Sequence, residues 1–299
     1  MNQPDPPFPR PHAADSRWQV PFDGDFGSER LVSTAGRRAR GQRKRLKSIC
    51  ERLLPRQQLL YAAKSYSVLC VFQAMDAAGK DGTIRAVFEG LDPNAIRQAA
   101  FKAPSRVERQ HDFLWRTTLE LPRLGEIGLF NRSHYEEVLT VRVHPEFLEG
   151  QYPAGVPDLD ELWEARYRAI REHERHLAAS NTVILKFWLH VSAREQARRF
   201  LDRIEEPDKR WKFSARDVYE AGYRAEYDTA VLDMIRETSR PWAPWYVIPA
   251  DDKPFMRAEV GEIVLRTLES LPLEHPQPEV EDEQEMARIA ETLKKQLGD

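Results

Sequence analysis

Short apolar runs alternate with amphipathic stretches along most of this 299-residue chain. Short runs that are rich in β-branched and aromatic residues predict buried strands. The candidate strands are residues 66–72, 96–101, 127–130, 183–191 and 246–248. Apolar positions at helical spacing predict helices between them, at residues 37–60, 79–89, 105–120, 158–179, 192–206, 215–238 and 254–270. This alternation predicts an α/β fold, in which helices cover both faces of a parallel five-stranded sheet.

The two ends of the chain depart from this pattern. Residues 1–30 are punctuated by proline and glycine, which predicts a flexible N-terminal segment with little regular structure. Residues 273–299 are acidic and helix-prone over 279–297, which predicts a peripheral tail. We therefore expect one α/β domain over residues 31–272.

Composition and charge exclude several classes of protein. The net charge of −3 argues against a uniformly basic protein, so we expect no nucleic-acid partner. Local basic patches such as residues 37–56 can nevertheless bind a polyanion. No apolar run approaches the ~18–20 residues that span a bilayer, and no secretory signal precedes the domain. Two cysteines, Cys50 and Cys70, exclude a disulfide framework, and His134 and His144 lack zinc-ligand spacing. We expect a cytoplasmic protein without membrane contact.

The loop after the first strand is typical of phosphate binding. Residues 74–81 approach the pattern G-x-x-x-x-G-K-[ST], but Ala74 replaces the first glycine and Asp81 replaces Ser/Thr. Backbone N–H groups at a helix start can hold phosphate oxygens, and Lys80 can neutralise them. The candidate phosphate-binding residues are Ala77, Ala78, Gly79, Lys80, Asp81 and Gly82.

Asp76 is an unusual residue for such a loop. A carboxylate repels phosphate unless a cation lies between them, so one interpretation is that Asp76 binds magnesium that bridges to phosphate. The other interpretation is an ordinary turn-forming or capping aspartate. The residues alone leave both open.

A second polar cluster follows the strand at 127–130, at the edge where open parallel sheets bind ligands. Asn131 can orient a metal-bound water, Arg132 can clamp phosphate through its fork of donors, and Glu136 can reach a metal. The same residues also suit a plain strand-to-helix turn, in which Ser133 caps the next helix. Both interpretations can hold together.

A third cluster is a run of bases over residues 192–216, where P-loop kinases carry a mobile lid. These bases could close over phosphates, or could face solvent on a charged helix. We expect the Trp211 ring to pack within the lid. The candidate lid bases are Arg199, Arg203, Lys209 and Lys212.

Together the three clusters resemble the polyphosphate kinase 2 family. The matching stretches are FQAMDAAGKDGTI, FKAPS, FNRSHYEEVL, EQARRFLDRIEEPDKRWKFS and WYVIPADDK, between about residues 37 and 270. The resemblance implies a P-loop kinase-like fold with strand order 2-3-1-4-5. It also implies phosphoryl transfer between inorganic polyphosphate and nucleotides with magnesium, or alternatively manganese, in a homo-oligomer that is a dimer or a tetramer.

The resemblance also implies roles for particular residues. By motif position, Asp76 and Lys80 are the metal-linked acid and the phosphate-binding base. The Asn131/Glu136 pair resembles the subgroup that phosphorylates both AMP and ADP, whereas many ADP-phosphorylating members carry Asp and Asn there. The implied metal ligands are Asp76, Asn131 and Glu136, the implied nucleotide contacts are Lys102 and Arg132, and the implied polyphosphate contacts include Arg199 and Arg203.

Two other functions remain open at this stage. An ATP-dependent nucleoside monophosphate kinase would share the fold but would favour Ser/Thr at position 81. A non-catalytic polyanion-binding protein would account for the basic patches, but would not need Asp76, Asn131 and Glu136 among them.

Overall fold

A computed structural model describes residues 13–36, 40–277 and 283–297, and its centre is an all-parallel sheet. The strands are β1 (Ser67–Gln73), β2 (Ile96–Ala100), β3 (Ile127–Asn131), β4 (Thr182–His190) and β5 (Trp245–Pro249). Their order is β2-β3-β1-β4-β5, and helices flank the sheet. The predicted α/β fold and the predicted strand order are therefore confirmed.

The helices agree with the sequence pattern in most places. They are α1 (Gln42–Ala63), α2 (Lys80–Phe88), α3 (Trp115–Thr118), α4 (Thr140–Val143), α5 (Leu159–Ala179), α6 (Ala193–Glu205), α7 (Ala215–Ala221), α8 (Arg224–Thr238), α9 (Lys253–Ser270) and α10 (Glu283–Leu297). No helix in the described parts of the chain is long and apolar enough to cross a bilayer.

The predicted helix over residues 105–120 is wrong. That stretch holds only a 3₁₀ turn at Glu108–Gln110 and the four-residue α3. Ser105 and Glu108 bond each other's backbone N–H groups, and the Asp112 carboxylate accepts from the N–H of Leu114. Such local side-chain bonds offer the backbone an alternative to a continuous helix.

The register of the sheet brings two of the predicted clusters together. β1 is buried along its whole length and lies between β3 and β4. Phe72 near its end pairs with Asn131 of β3. Because parallel strands end at the same edge, the loop at 74–79 and the segment from Asn131 onward are neighbours.

The N-terminal segment is not a free tether over its described part. Val20 is fully buried, and its N–H donates to the carbonyl of Trp245, while Val247 N–H donates to the carbonyl of Trp18. Residues 18–20 thus cover the open edge of β5, which protects unpaired backbone groups. Ala14, Val20 and Phe26 are buried, so the described part of the predicted N-terminal segment packs against the domain. Residues 1–12 lie outside the described residues.

The predicted basic helix and the predicted tail helix are both present in the structure. α1 buries Ile49, Leu53 and Leu60 and packs against α9, whereas its predicted first residues, 37–39, lie outside the described residues. The predicted tail helix is α10, which exposes its residues from 284 to 297. Positions 278–282 and 298–299 of the tail are also outside the described residues.

Candidate active site

The loop between β1 and α2 has the backbone shape of a phosphate cradle. Ala77 and Gly79 both adopt positive φ, +61° and +109°. Gly79 precedes the first turn of α2 in the left-handed region, which glycine adopts without strain. A Cβ at Gly79 would lie 3.4 Å from the Met256 side chain, so the loop is also closely packed from behind. The predicted residues 77–82 therefore form one continuous turn at the start of a helix, where N–H groups favour anions.

Lys80 folds back over this loop. Its Nζ donates to the carbonyl of Ala74 at 2.8 Å, and the residue is 9% exposed. Burial, followed by the nearby charge of Arg132, lowers the pKa of Lys80 to about 8. An anionic phosphate beside Nζ would favour the charged form, so ligand binding and protonation of Lys80 support each other.

Arg132 lies between two of the predicted acids. Its Nη2 donates to Asp76 Oδ1 at 2.6 Å, and its Nη1 donates to Glu136 Oε2 at 3.1 Å. Glu136 also accepts from the Thr140 hydroxyl at 2.7 Å. The charge of Glu136 raises the pKa of Arg132 more than that of Asp76 does. The guanidinium thus links the loop to the segment after β3.

The predicted metal ligands are not gathered around one point. The Asn131 side-chain amide donates to Asp81, and Glu136 is engaged by Arg132 and Thr140. No group of three His, Cys, Asp or Glu side chains in the described residues could hold a metal by itself. Any cation here would need oxygen ligands from a bound phosphate as well, which is how Mg²⁺ is usually held.

Asp217 is a further acid in the cleft that the sequence analysis did not single out. Burial raises its pKa, and the neighbouring charge of Asp76 raises it further. Each of the two carboxylates is bound to an arginine, Asp76 to Arg132 at 2.6 Å and Asp217 to Arg203 at 3.1 Å. Asp76 and Asp217 both line the cleft, and their carboxylate oxygens are of the type that hard cations prefer.

These groups face one cleft of about 370 Å³. Its walls come from the loop, the ends of β2 and β3, and the lid over 192–216. The charged residues lining it include Asp76, Lys80, Lys102, Arg132, Arg203 and Asp217. The cleft is thus lined by both basic and acidic side chains. This mixture of charges suits phosphates that bind together with a cation.

The lid bases do not all face this cleft. Arg203 donates to Asp217 at 3.1 Å, and Lys212 also lines the cleft. Lys209 instead pairs with Glu206 on the exposed surface. The Trp211 side chain is not packed within the lid as expected, because the residue is 78% exposed at the cleft mouth.

Arg199 occupies a different position from the one that the sequence predicted. It is 4% exposed, and all five of its N–H donors are used. Nε donates to Glu195, and the two terminal nitrogens donate to the carbonyls of Ala77, Ala78, Ala250 and Asp251. Arg199 therefore clamps the phosphate loop to the end of β5, and has no donor left for a phosphate.

A buried network supports the segment after β3. Lys186 Nζ donates to Glu174 at 2.7 Å, to the Tyr135 hydroxyl at 2.8 Å and to the carbonyl of Thr238 at 2.7 Å. The Tyr135 hydroxyl donates in turn to Glu174. Because Tyr135 lies between Arg132 and Glu136 in the chain, this network anchors the segment that carries both site residues.

Arg199 and Arg203 should therefore respond differently to truncation. We expect Arg199→Ala to lower stability by about 2–3 kcal/mol, because buried carbonyls lose their donors, and to lower kcat with it. We expect Arg203→Ala to leave the melting temperature nearly unchanged and to raise KM for the phosphate donor. Thermal denaturation and steady-state kinetics on both variants measure the contrast, with Arg199→Lys as a control that keeps the charge without the planar fork. Equal effects of the two alanine variants would contradict these assignments.

Three features together define a P-loop phosphotransferase. They are a phosphate loop with its lysine, an arginine at the end of the neighbouring strand, and a basic lid. The chain matches the family model described as Polyphosphate kinase 2 (PPK2) over residues 37–276. This chain belongs to the polyphosphate kinase 2 family. Kinases of the family are generally dependent on a divalent metal.

Individual relatives agree with this placement. The chain is 49% identical over 251 residues to the ADP-polyphosphate phosphotransferase of Rhodopseudomonas palustris, covering 84% of this chain and 87% of that protein. It is 47% identical over 232 residues to the AMP/ADP-polyphosphate phosphotransferase of Meiothermus ruber, covering 78% and 83%. The crystal structure of Polyphosphate Kinase 2 from Arthrobacter aurescens TC1 superposes with a TM-score of 0.77 at 32% identity, covering 91% of this chain and 99% of that one.

Proposed function

We propose that this protein transfers the terminal phosphoryl group of inorganic polyphosphate to AMP and ADP, giving ADP and ATP, with magnesium. The observation that carries the proposal is the convergence of Lys80, Arg132 and the pair Asp76 and Asp217 on one cleft beside the phosphate loop. The curated relatives named above act on the same classes of substrate.

The geometry supports a mechanism of alignment and charge neutralisation. The donor phosphate lies against the N–H groups at the start of α2, where Lys80 offsets its charge. The acceptor lies in the cleft near Lys102 and Arg132. Its phosphate oxygen is already ionised at pH 7, so no side chain needs to remove a proton.

Magnesium, when bound, would neutralise the charge that is shared by the donor and acceptor phosphates. Asp76 and Asp217 would hold it, together with phosphate oxygens. Arg132 keeps the Asp76 carboxylate turned toward the cleft through their 2.6 Å bond. Asn131 and Glu136 support the site from one side, through Asp81 and Thr140.

One assay tests the reaction against its competitors. The protein is incubated with AMP or ADP and with either polyphosphate or ATP as donor, with and without magnesium, and ADP and ATP are quantified. We expect product from polyphosphate only when magnesium is present. Product from ATP and AMP alone would indicate a nucleoside monophosphate kinase, and binding of polyphosphate without turnover would indicate a polyanion-binding protein. Manganese in place of magnesium defines the metal range.

Glu136 is the residue that we propose to determine whether AMP as well as ADP serves as acceptor. AMP has no second phosphate to help hold a cation, so a nearby protein anion should matter more for AMP than for ADP. We expect Glu136→Asn to lower kcat/KM for AMP several-fold more than for ADP. The competing explanation is that Glu136 only braces Arg132 and Thr140, in which case both activities fall together with the melting temperature. An AMP-to-ADP ratio equal to that of the unmodified protein would refute the proposal.

Location and assembly remain predictions. We propose a cytoplasmic homo-oligomer, either a dimer or a tetramer, without a nucleic-acid partner. Light scattering of the purified protein measures the oligomer number directly.

A further inference from the structure

Residues 13–36, here called the strap, contact α9 as well as the edge of β5. The Trp18 ring meets the ring of Phe255 edge-on, with 6.0 Å between the two centroids. The Trp18 indole N–H donates to the Glu259 carboxylate at 2.6 Å. Phe255 and Glu259 are one helical turn apart on α9, so both lie on the same face of that helix. Trp18 therefore holds the first turns of α9 from outside.

The start of α9 supports the phosphate loop from behind. Met256, the residue after Phe255, is fully buried. Its terminal methyl carbon would lie 3.4 Å from a Cβ at Gly79, and its sulfur lies 3.8 Å from the hydroxyl oxygen of Thr83. Because buried side chains pack without free space, a shift of the first turn of α9 is passed on to the loop and to the start of α2.

A second contact joins the strap to the turn between β5 and α9. The carbonyl of Ser33 accepts from the N–H of Asp251 at 3.1 Å. The Asp251 carboxylate accepts from the N–H of Ser192, the N-terminal cap of the lid helix α6, at 2.8 Å. The Asp251 carbonyl accepts from Arg199, which also binds the carbonyl of Ala78 in the phosphate loop. One short turn thus connects the strap to both the loop and the lid.

We propose that Trp18 is a positioning residue for phosphoryl transfer, which acts through Phe255 and Met256 on the phosphate loop. The Ser33 carbonyl holds the neighbouring turn at Asp251 in the same way. This inference rests on the proposed function and adds a segment, remote from the reacting groups, that sets the geometry of the loop.

The strap should influence alignment more than binding. No residue of the strap lines the cleft, so its loss removes no contact with either substrate. A small displacement of the loop, however, moves the donor phosphate relative to the acceptor, and phosphoryl transfer depends on that alignment. We therefore expect the effect of Trp18 to appear in kcat and not in KM.

A comparison of Trp18→Ala with Val20→Ala provides the test. Val20 is fully buried in the strap at the edge of β5, and its truncation leaves the ring contact with α9 in place. Both changes remove buried apolar surface, so both should lower the melting temperature. We expect only Trp18→Ala to lower kcat, by about tenfold, with KM for polyphosphate and for the nucleotide within about twofold of the unmodified protein. Kinetics are measured at a temperature at which both variants are fully folded.

Trp18→Phe is the conservative variant, because it keeps an aromatic ring beside Phe255. It should recover most of the kcat that Trp18→Ala loses. Hydrogen exchange of the amides in residues 74–83 reports on the loop without turnover, and we expect faster exchange there in Trp18→Ala than in Val20→Ala.

Equal losses of kcat in the two alanine variants, or a normal kcat in Trp18→Ala, would overturn the positioning role and leave the strap as a cover for the sheet edge. The same conclusion would follow from equal hydrogen exchange of the loop in both variants. An unmodified protein that does not turn over polyphosphate would instead overturn the proposed function, while the exchange measurement would still report on the link between the strap and the loop.

Discussion

Asp76→Asn should remove most activity while leaving the fold intact. The change keeps the shape of the side chain but deletes the charge of Asp76, one of two carboxylates, with Asp217, that line the cleft beside the phosphate loop. It also weakens the 2.6 Å bond to Arg132, which then pairs with Glu136 alone. Loss of one preorganised electrostatic group at such a site lowers kcat by roughly 10²–10³-fold.

Turnover at saturating polyphosphate and nucleotide, measured across a magnesium titration, checks this expectation. Asp208→Asn on the exposed part of the lid is the matched control, and its kcat should stay unchanged. Asp217→Asn should also lower activity if the two acids share a cation. Near-normal turnover of Asp76→Asn at high magnesium would contradict the metal assignment.

Lys186→Ala should destabilise the whole domain. Lys186 and Glu174 are 0% and 2% exposed, and burial lowers the pKa of Lys186 to about 8 and raises the pKa of Glu174. Removal of one partner leaves the other as a buried group without compensation, which costs about 3–5 kcal/mol. Because Tyr135 shares the network, the segment holding Arg132 should loosen as well.

A double-mutant cycle separates the pair from its surroundings. Lys186→Met and Glu174→Leu should each be destabilising like Lys186→Ala, whereas the combination of the two should recover much of the loss, since no uncompensated charge remains. Urea unfolding of the single and double variants at neutral pH gives the free energies of unfolding. Additive effects of the two changes would show that the pair is not coupled.

The strands and the phosphate loop were predictable because their signals are local. Buried parallel strands are short apolar runs, and a loop followed by Gly79 and Lys80 at a helix start has few other uses. The irregular structure of residues 105–120 was not predictable from periodicity, which wrongly favoured a helix. The bonds of Ser105, Glu108 and Asp112 to nearby backbone outweigh the helical pattern there.

Local sequence patterns could not predict which groups the long charged side chains bind. Arg199 and Arg203 are one helical turn apart, yet the first is buried against loop carbonyls and the second faces the cleft. Lys186 lies in an apolar strand, but the sequence does not show that Glu174 is opposite it. Asp217 has no motif that distinguishes it from the acids of the neighbouring lid.

By itself, the sequence determined the α/β class, the phosphate loop and, through resemblance, the strand order and the family. Apolar periodicity and turn residues act over a few positions, so they can be read from the chain directly. Only the tertiary structure decided that Arg199 clamps the loop, that Asp217 lines the same cleft as Asp76, and that residues 18–20 cover the edge of β5. These arrangements depend on contacts between residues that are many positions apart, where burial and neighbouring charge, rather than residue type, set the role of a side chain.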